Sequence, residues 1–185
     1  MNAKGEVNLA PYSYFNSVST EPPMVMFASD GRKDTLEFVE ETAEFVCNLA
    51  VWDLRTHVKD TSRTYPRGIN EMKAVGLEAA PSALVKPPRV KASPCALECK
   101  WLQTVRLTDL DGNPAPRFIV FGQVIGIHID ERFIKDGLLN TGAMKPIARA
   151  GYQEYFVTTE DARFFVSFTQ NNQADAPPPL GARHE

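Results

Sequence analysis

Two long strand-like segments joined by a turn limit the possible folds more than any other feature of the sequence. Residues 89–109 and 117–130 are rich in β-branched and aromatic residues, and the stretch DLDGNPAP lies between them. Asp, Gly, Asn and Pro in a short connection are typical of a β-hairpin. Gly122 and Gly126 lie inside the second segment and indicate a bulged, strongly curved strand. We therefore expect an antiparallel sheet built around this hairpin.

The remaining elements predict a mainly β fold, a β-barrel with small helical insertions. Pro94 indicates a bend or an edge position in the first long segment. Further strands are predicted at 24–29, 44–51 and 163–168, and short helices at 34–43, 52–62, 69–76 and 139–151. Long strands separated by short helices favour a barrel over alternating β-α-β units.

Composition narrows the class of protein. The chain has 185 residues, of which 43% are hydrophobic and 23% charged, so we expect one globular domain over residues 1–172. The Pro-rich, polar tail at 173–185 is expected to be disordered. A net charge of −3 argues against a nucleic-acid partner. No apolar run is long enough for a bilayer, and the first residues lack the apolar core of a signal peptide.

Three cysteines, Cys47, Cys95 and Cys99, are not spaced as a metal site and are expected at buried strand positions. Cysteines used in this way are typical of a reduced compartment, and we expect a cytoplasmic protein.

The stretch SDGRKDT, residues 29–35, is the first candidate site. It connects a predicted strand to a predicted helix, for which Asp34 is available as the N-cap. Two cations at a helix start oppose the helix dipole unless an anion is bound there. Free helical N–H groups, hydroxyl donors from Ser29 and Thr35, and the charges of Arg32 and Lys33 suit a phosphate monoester. An exposed helix start with solvated charges is the alternative reading.

The second candidate is the segment NLAPYSYFNSVSTEPPMVMFAS, residues 8–29, which mixes aromatic, Ser and Asn side chains. Flat apolar rings beside hydrogen-bonding groups suit a planar heteroaromatic ligand with polar edges. A core segment with a polar turn explains the same composition.

These two stretches, followed by EFVCNLA, FGQVIGIHID and MKPIARAGYQEYF in that order, resemble the flavin reductase-like, FMN-binding split-barrel family, which includes flavoredoxins. The resemblance covers about residues 5–157. It implies a six-stranded antiparallel Greek-key split barrel that binds FMN non-covalently as a homodimer. Family members usually carry a further strand ahead of the segment that matches residues 1–12. Either the start codon of this sequence is assigned too late, or the chain is a shortened form whose barrel lacks its first strand and exposes an edge.

By matching motif, the resemblance assigns the isoalloxazine ring to Ser13, Tyr14, Phe15 and Asn16, and the phosphate to Ser29, Arg32, Lys33 and Thr35. It places Asn48 near the ribityl chain or ring, and Arg149 and Tyr152 near the flavin or its partner substrate.

Histidines offer little for catalysis. His128, in GIHID, is a weak candidate for binding a nicotinamide donor, with a structural strand-end histidine as the alternative. His57 is expected on a solvated helix surface, and His184 lies in the tail. No set of residues has metal-ligand spacing, and no GxGxxG fingerprint is present, so NAD(P)H is expected as a transient substrate.

Three functions follow as hypotheses. The first is an oxidoreductase that passes hydride from NAD(P)H through FMN to a flavin, a metal complex or a protein such as an oxygenase. The second is an FMN-containing electron carrier without NAD(P)H activity of its own. The third is a barrel that has lost its cofactor.

Overall fold

The computed structural model describes residues 1–164, and its centre is a five-stranded antiparallel sheet. The strands are β1 (Phe15–Thr20), β2 (Pro23–Asp30), β3 (Glu44–Asn48), β4 (Ala79–Ala80), β5 (Arg89–Val90), β6 (Cys95–Thr108), β7 (Pro114–Ile129), β8 (Ile134–Lys135), β9 (Leu138–Leu139), β10 (Ile147–Arg149) and β11 (Tyr155–Val157). The main sheet has the order β1-β2-β7-β6-β3, and β4-β5, β8-β9 and β10-β11 are small separate pairs.

Helices are short, as predicted. They are α1 (Asp34–Thr42), α2 (Arg55–Thr61), α3 (Glu71–Ala74) and α4 (Thr141–Met144), with 3-10 turns at Trp52–Leu54, Glu131–Phe133 and Glu160–Ala162. Within the described residues, none of these helices is long and apolar enough to cross a bilayer.

The hairpin that was predicted from the two long strand-like segments is confirmed as β6–β7. Its turn is closed by a hydrogen bond of 2.9 Å from the Asp109 N–H to the Asn113 carbonyl. The Asp109 carboxylate accepts the N–H groups of Asp111 and Asn113 at 3.0 and 2.8 Å, and Gly112 has φ +83°. The turn is therefore stabilised by the Asp, Asn and Gly residues from which it was predicted.

Both glycines of β7 lie opposite irregular pairing. The register between β6 and β7 shifts between Glu98 and Cys99 and again between Trp101 and Gln103. A Cβ on Gly122 would overlap the ring of Phe45 on β3. Gly122 is thus required for the close approach of the Phe45 ring to β7.

The core lies between the sheet and α1. Leu36 and Val39 of α1 pack with side chains of the sheet, and the buried cluster consists of Val25, Phe27, Leu36, Val39, Phe45, Cys99, Val120 and Val124. This packing fixes the position of the helix start that follows β2.

Two sequence predictions need correction, and a third is not confirmed. Residues 15–20 form strand β1, which was not among the predicted strands; their polar side chains suit an edge strand that is mostly exposed. The segment 89–109 is broken before β6, because Pro94 cannot donate a ladder hydrogen bond. The main sheet of the described residues has five strands with β1 and β3 at its edges, so a six-stranded Greek-key closure is not confirmed.

The tail at 173–185 and most of the strand predicted at 163–168 lie outside the described residues.

Candidate functional site

The connection from β2 to α1 forms an anion-binding geometry. Gly31 has φ +82°, and no atom lies within 4 Å of the position that a Cβ would take. The N-cap residue is Lys33, and it makes no side-chain capping hydrogen bond. Asp34 was predicted as the cap but is the first helical residue instead. The first-turn N–H groups of α1 are therefore left without a capping acceptor and can bind an anion.

The two cations of this loop differ in their surroundings. The Arg32 guanidinium forms an ion pair with Glu40 of the same helix and lies 5.7 Å from the ring centroid of Phe118. Lys33 is exposed and forms no ion pair within residues 1–164. Lys33 is thus the cation that is free to bind a phosphate, whereas Arg32 already has a carboxylate partner.

The predicted hydroxyl donors are already engaged. Ser29 is fully buried, and its Oγ donates to the Gly31 carbonyl at 2.9 Å. Thr35 Oγ1 donates to Oδ1 of Asn8. Each hydroxyl has one proton, so in this arrangement neither donates to a ligand. Both hydroxyl protons are thus directed to acceptors within the protein, and the role of Ser29 and Thr35 toward a phosphate stays a prediction.

Tyr12 is a member of the site that sequence reasoning missed. Burial raises the pKa of the Tyr12 phenol, and hydrogen bonding with Thr35 and Ser29 opposes only part of that rise. Its ring packs against Phe27 with the centroids 4.5 Å apart. The alternation of aromatic and polar residues in the segment was the available signal, but it could not tell which ring turns inward.

A cavity of about 580 Å³ lies beside this loop, between β3 and the segment that leads into β1. Small-molecule sites have volumes of about 300–1,000 Å³. The predicted site residues that line the cavity are Ser13, Phe15, Thr35, Asn48 and Arg149. Those outside its lining are Tyr14, Asn16, Ser29, Arg32, Lys33 and Tyr152. The structure therefore brings together about half of the predicted set around one space, with the phosphate loop next to it.

Two cavity residues are held by the protein itself. Asn48 Oδ1 accepts the Val90 N–H at 2.8 Å, which leaves the amide nitrogen of Asn48 as the group available to a ligand. Arg149 Nη1 donates to the Tyr155 hydroxyl at 3.3 Å, and its guanidinium lies 5.2 Å from the centroid of that ring. Tyr152 is 94% exposed, and its carbonyl accepts a hydrogen bond from Arg149.

The histidine predictions change in one case. His57 lies on α2 as predicted but is half-buried and lines the cavity, and its Nδ1 is buried without a hydrogen-bond partner in the described structure. The expectation of a solvated histidine is therefore wrong. His128 is half-buried on β7 opposite Ala96 and does not line the cavity. Its role with a nicotinamide stays a prediction.

Comparison with known sequence families identifies the family of this chain. The sequence model described as "Flavin reductase like domain" matches residues 2–148. The chain belongs to the flavin reductase-like family. A relative from Deinococcus radiodurans of undefined function is 33% identical over 162 residues, which cover 83% of this chain and 68% of the relative.

Solved structures agree with this assignment. Nitrilotriacetate monooxygenase component B from Bacillus cereus is 27% identical and superposes with a TM-score of 0.81, over 89% of this chain and 83% of that one. A 2-nitrobenzoate 2-nitroreductase from Pseudomonas fluorescens is 28% identical, with a TM-score of 0.79 over 94% and 84% of the two chains. Flavoredoxin of Desulfovibrio vulgaris, at 16% identity and a TM-score of 0.75 over 92% and 86%, shares the fold. The mainly β architecture is thus that of the flavin reductase-like split-barrel proteins.

Proposed function

We propose that this flavin reductase-like protein is an oxidoreductase that binds FMN non-covalently and passes electrons from NAD(P)H to a second acceptor. The observation that carries the proposal is the uncapped start of α1 beside Gly31 and Lys33, which offers a phosphate both free N–H groups and a charge. Membership of the family supplies the class of ligand.

The residues present fit FMN. Lys33 and the first-turn N–H groups of α1 would hold the phosphate, since charge-assisted hydrogen bonds to phosphate are the strong ones. Ser13, Phe15, Asn48 and Arg149 line the adjacent cavity and offer an apolar face with polar edges to the ring system. The donor set therefore suits both ends of the cofactor.

When bound, FMN supplies the hydride and electron chemistry, and the protein supplies binding, position and electrostatics. Lys33 and the helix start would fix the cofactor at its phosphate, and the apolar walls around Phe27 and Leu97 would keep water from the ring. Arg149, which donates a hydrogen bond to the Tyr155 hydroxyl, would present a positive charge toward the cavity. A nicotinamide substrate carries phosphates that such a charge would attract.

The names of two related proteins indicate classes of second acceptor. Relatives named as a monooxygenase component and as a nitroreductase support either a partner oxygenase that uses reduced flavin or a small oxidised substrate. A flavin, a metal complex and a redox protein remain the acceptor classes to be compared.

A homodimer is part of the same proposal. Strand β1 lies at the sheet edge and exposes apolar side chains, with Tyr14 just before it 74% exposed and Val18 and Phe15 also exposed. Exposed apolar side chains beside an open strand edge support association with a second copy. Light scattering during size-exclusion chromatography tests this, and a monomer at micromolar concentration would contradict it.

The test of function is NADH and NADPH oxidation by purified protein supplied with FMN, followed at 340 nm with each class of acceptor. We expect turnover that depends on both protein and FMN. A protein that binds FMN but oxidises neither nicotinamide, while a separate reductase reduces its flavin, would instead be an electron carrier.

A further inference from the structure

A buried carboxylate lies behind the phosphate loop and makes no ion pair within the described residues. Glu71, the first residue of α3, is 8% exposed. Its Oε1 accepts Nδ2–H of Asn8 at 2.8 Å, and its Oε2 accepts the N–H of Leu9 at 3.0 Å. Two donors therefore hold this charge, and both come from the segment that borders the cavity.

Glu71 fixes the orientation of the Asn8 amide. A carboxylate only accepts hydrogen bonds, so Asn8 must turn its NH₂ group toward Glu71 and its Oδ1 toward Thr35. Thr35 Oγ1 donates to that Oδ1. The single hydroxyl proton of Thr35 thus points to Asn8, and a lone pair is left for the Tyr12 hydroxyl, which also hydrogen-bonds with Thr35. The direction of every hydrogen bond in this chain follows from the charge of Glu71.

Most of the cations around the loop are paired with carboxylates. Arg117 forms an ion pair with Asp30, and Arg67 lies 2.8 Å from a Glu37 oxygen. Arg32 forms an ion pair with Glu40. The loop therefore carries less free positive charge than its sequence indicates.

We propose that Glu71 is a positioning residue that lowers the phosphate affinity of the site by directing the Thr35 proton toward Asn8, so that FMN is an exchangeable ligand. This inference rests on the proposed function, because it takes the phosphate to be that of FMN. An exchangeable flavin suits an enzyme that releases reduced FMN to an acceptor.

The variant Glu71→Gln tests the proposal because it reverses the chain of hydrogen bonds without removing it. The introduced amide must still accept the Leu9 N–H with its oxygen, so its NH₂ group faces Asn8. The Asn8 amide then flips and donates to Thr35 Oγ1, which releases the Thr35 proton from Asn8. A charged phosphate oxygen is a stronger acceptor than the neutral Tyr12 hydroxyl, so the released proton turns to the phosphate. We expect FMN to bind about tenfold more tightly, as one released hydrogen bond to a charged group would give.

Controls separate this effect from others. Riboflavin lacks the phosphate, so its affinity should not change. Glu78→Gln removes the same charge from an exposed carboxylate that pairs with Lys91, and should leave FMN affinity unchanged. In a Thr35→Val background, Glu71→Gln should improve FMN binding by less than about twofold, because no proton remains to be released. Asn8→Ala frees the same proton by removing its acceptor, and should also tighten FMN binding if Glu71→Gln does not fold.

Dissociation constants come from equilibrium titration of apoprotein by flavin fluorescence, with thermal unfolding as the check on folding. A tighter FMN complex, an unchanged riboflavin complex and loss of the gain with Thr35→Val support the proposal. Equal or weaker FMN binding by both the Glu71 and Asn8 variants overturns it while the proposed function stands. A gain that persists with Thr35→Val also overturns it, since the charge alone would then be responsible. Wild-type protein that binds no flavin overturns both the inference and the proposed function.

Discussion

Neutralising the two neighbouring cations of the β2–α1 loop should have unequal effects on FMN binding. Lys33 has no carboxylate partner among residues 1–164 and lies at the uncapped helix start, whereas Arg32 is paired with Glu40. Hydrogen bonds to charged groups contribute about 1.5–3 kcal/mol, and exposure of Lys33 puts it at the lower end, which is about tenfold in affinity. Arg32 is an exposed and already paired cation, so its loss should cost about threefold or less.

The assay is equilibrium titration of apoprotein with FMN and with riboflavin for Lys33→Gln and the matched variant Arg32→Gln. We expect the FMN-to-riboflavin affinity ratio to fall strongly for Lys33→Gln and little for Arg32→Gln. Raised salt should narrow the difference, because exposed charges are screened. Equal losses for both variants, or a Lys33→Gln loss that riboflavin shares, would refute the assignment of Lys33 to the phosphate.

Other predictions concern the fold. Glu98 is 4% exposed and accepts three successive backbone N–H groups; burial favours its neutral form, but these bonds outweigh that effect and hold its pKa below the ordinary 4.5. The stability that ionised Glu98 gives the fold is therefore present above about pH 4.5 and is lost as the pH falls through the lower folded-state pKa. The variant Glu98→Gln should lower the free energy of unfolding at pH 7 by about 1–3 kcal/mol. Urea titrations at several pH values should also show a weaker loss of stability in acid for this variant than for the unaltered protein. Gly122→Ala should lower the thermal midpoint, since overpacking against Phe45 costs about 1–3 kcal/mol, while Gly126→Ala, which meets the flexible end of Leu84, should lower it less. An equal shift for the two glycine variants would contradict the packing account, and an unchanged acid profile would contradict the role of Glu98.

The parts of the fold that depend on local chemistry could be predicted from the sequence. The β6–β7 hairpin, the irregular pairing beside Gly122 and the start of α1 after Gly31 all follow from turn residues and hydrophobic pattern. Strand β1 was missed because its residues are mostly polar and exposed, and its extended form depends on pairing with β2 across the Glu21-Pro22 turn.

The loop of the candidate site could be predicted from the sequence, whereas the hydrogen bonds of its side chains could not. The positions of Lys33 and Gly31 follow from the strand-to-helix connection itself. The commitment of Thr35 to Asn8 depends on Glu71, which is 63 residues from Asn8 in the chain. No local pattern reports such a contact, so side-chain protons can be assigned only from the structure. The same holds for His57, whose burial depends on elements that pack around α2.

The central claim is that the start of α1 binds the phosphate of FMN. The most direct measurement is the affinity of unaltered apoprotein for FMN and riboflavin in one buffer, by fluorescence titration. The account predicts that FMN binds at least about tenfold more tightly, because only FMN can use Lys33 and the free N–H groups of α1. Equal affinities, or no binding of either flavin, would contradict it.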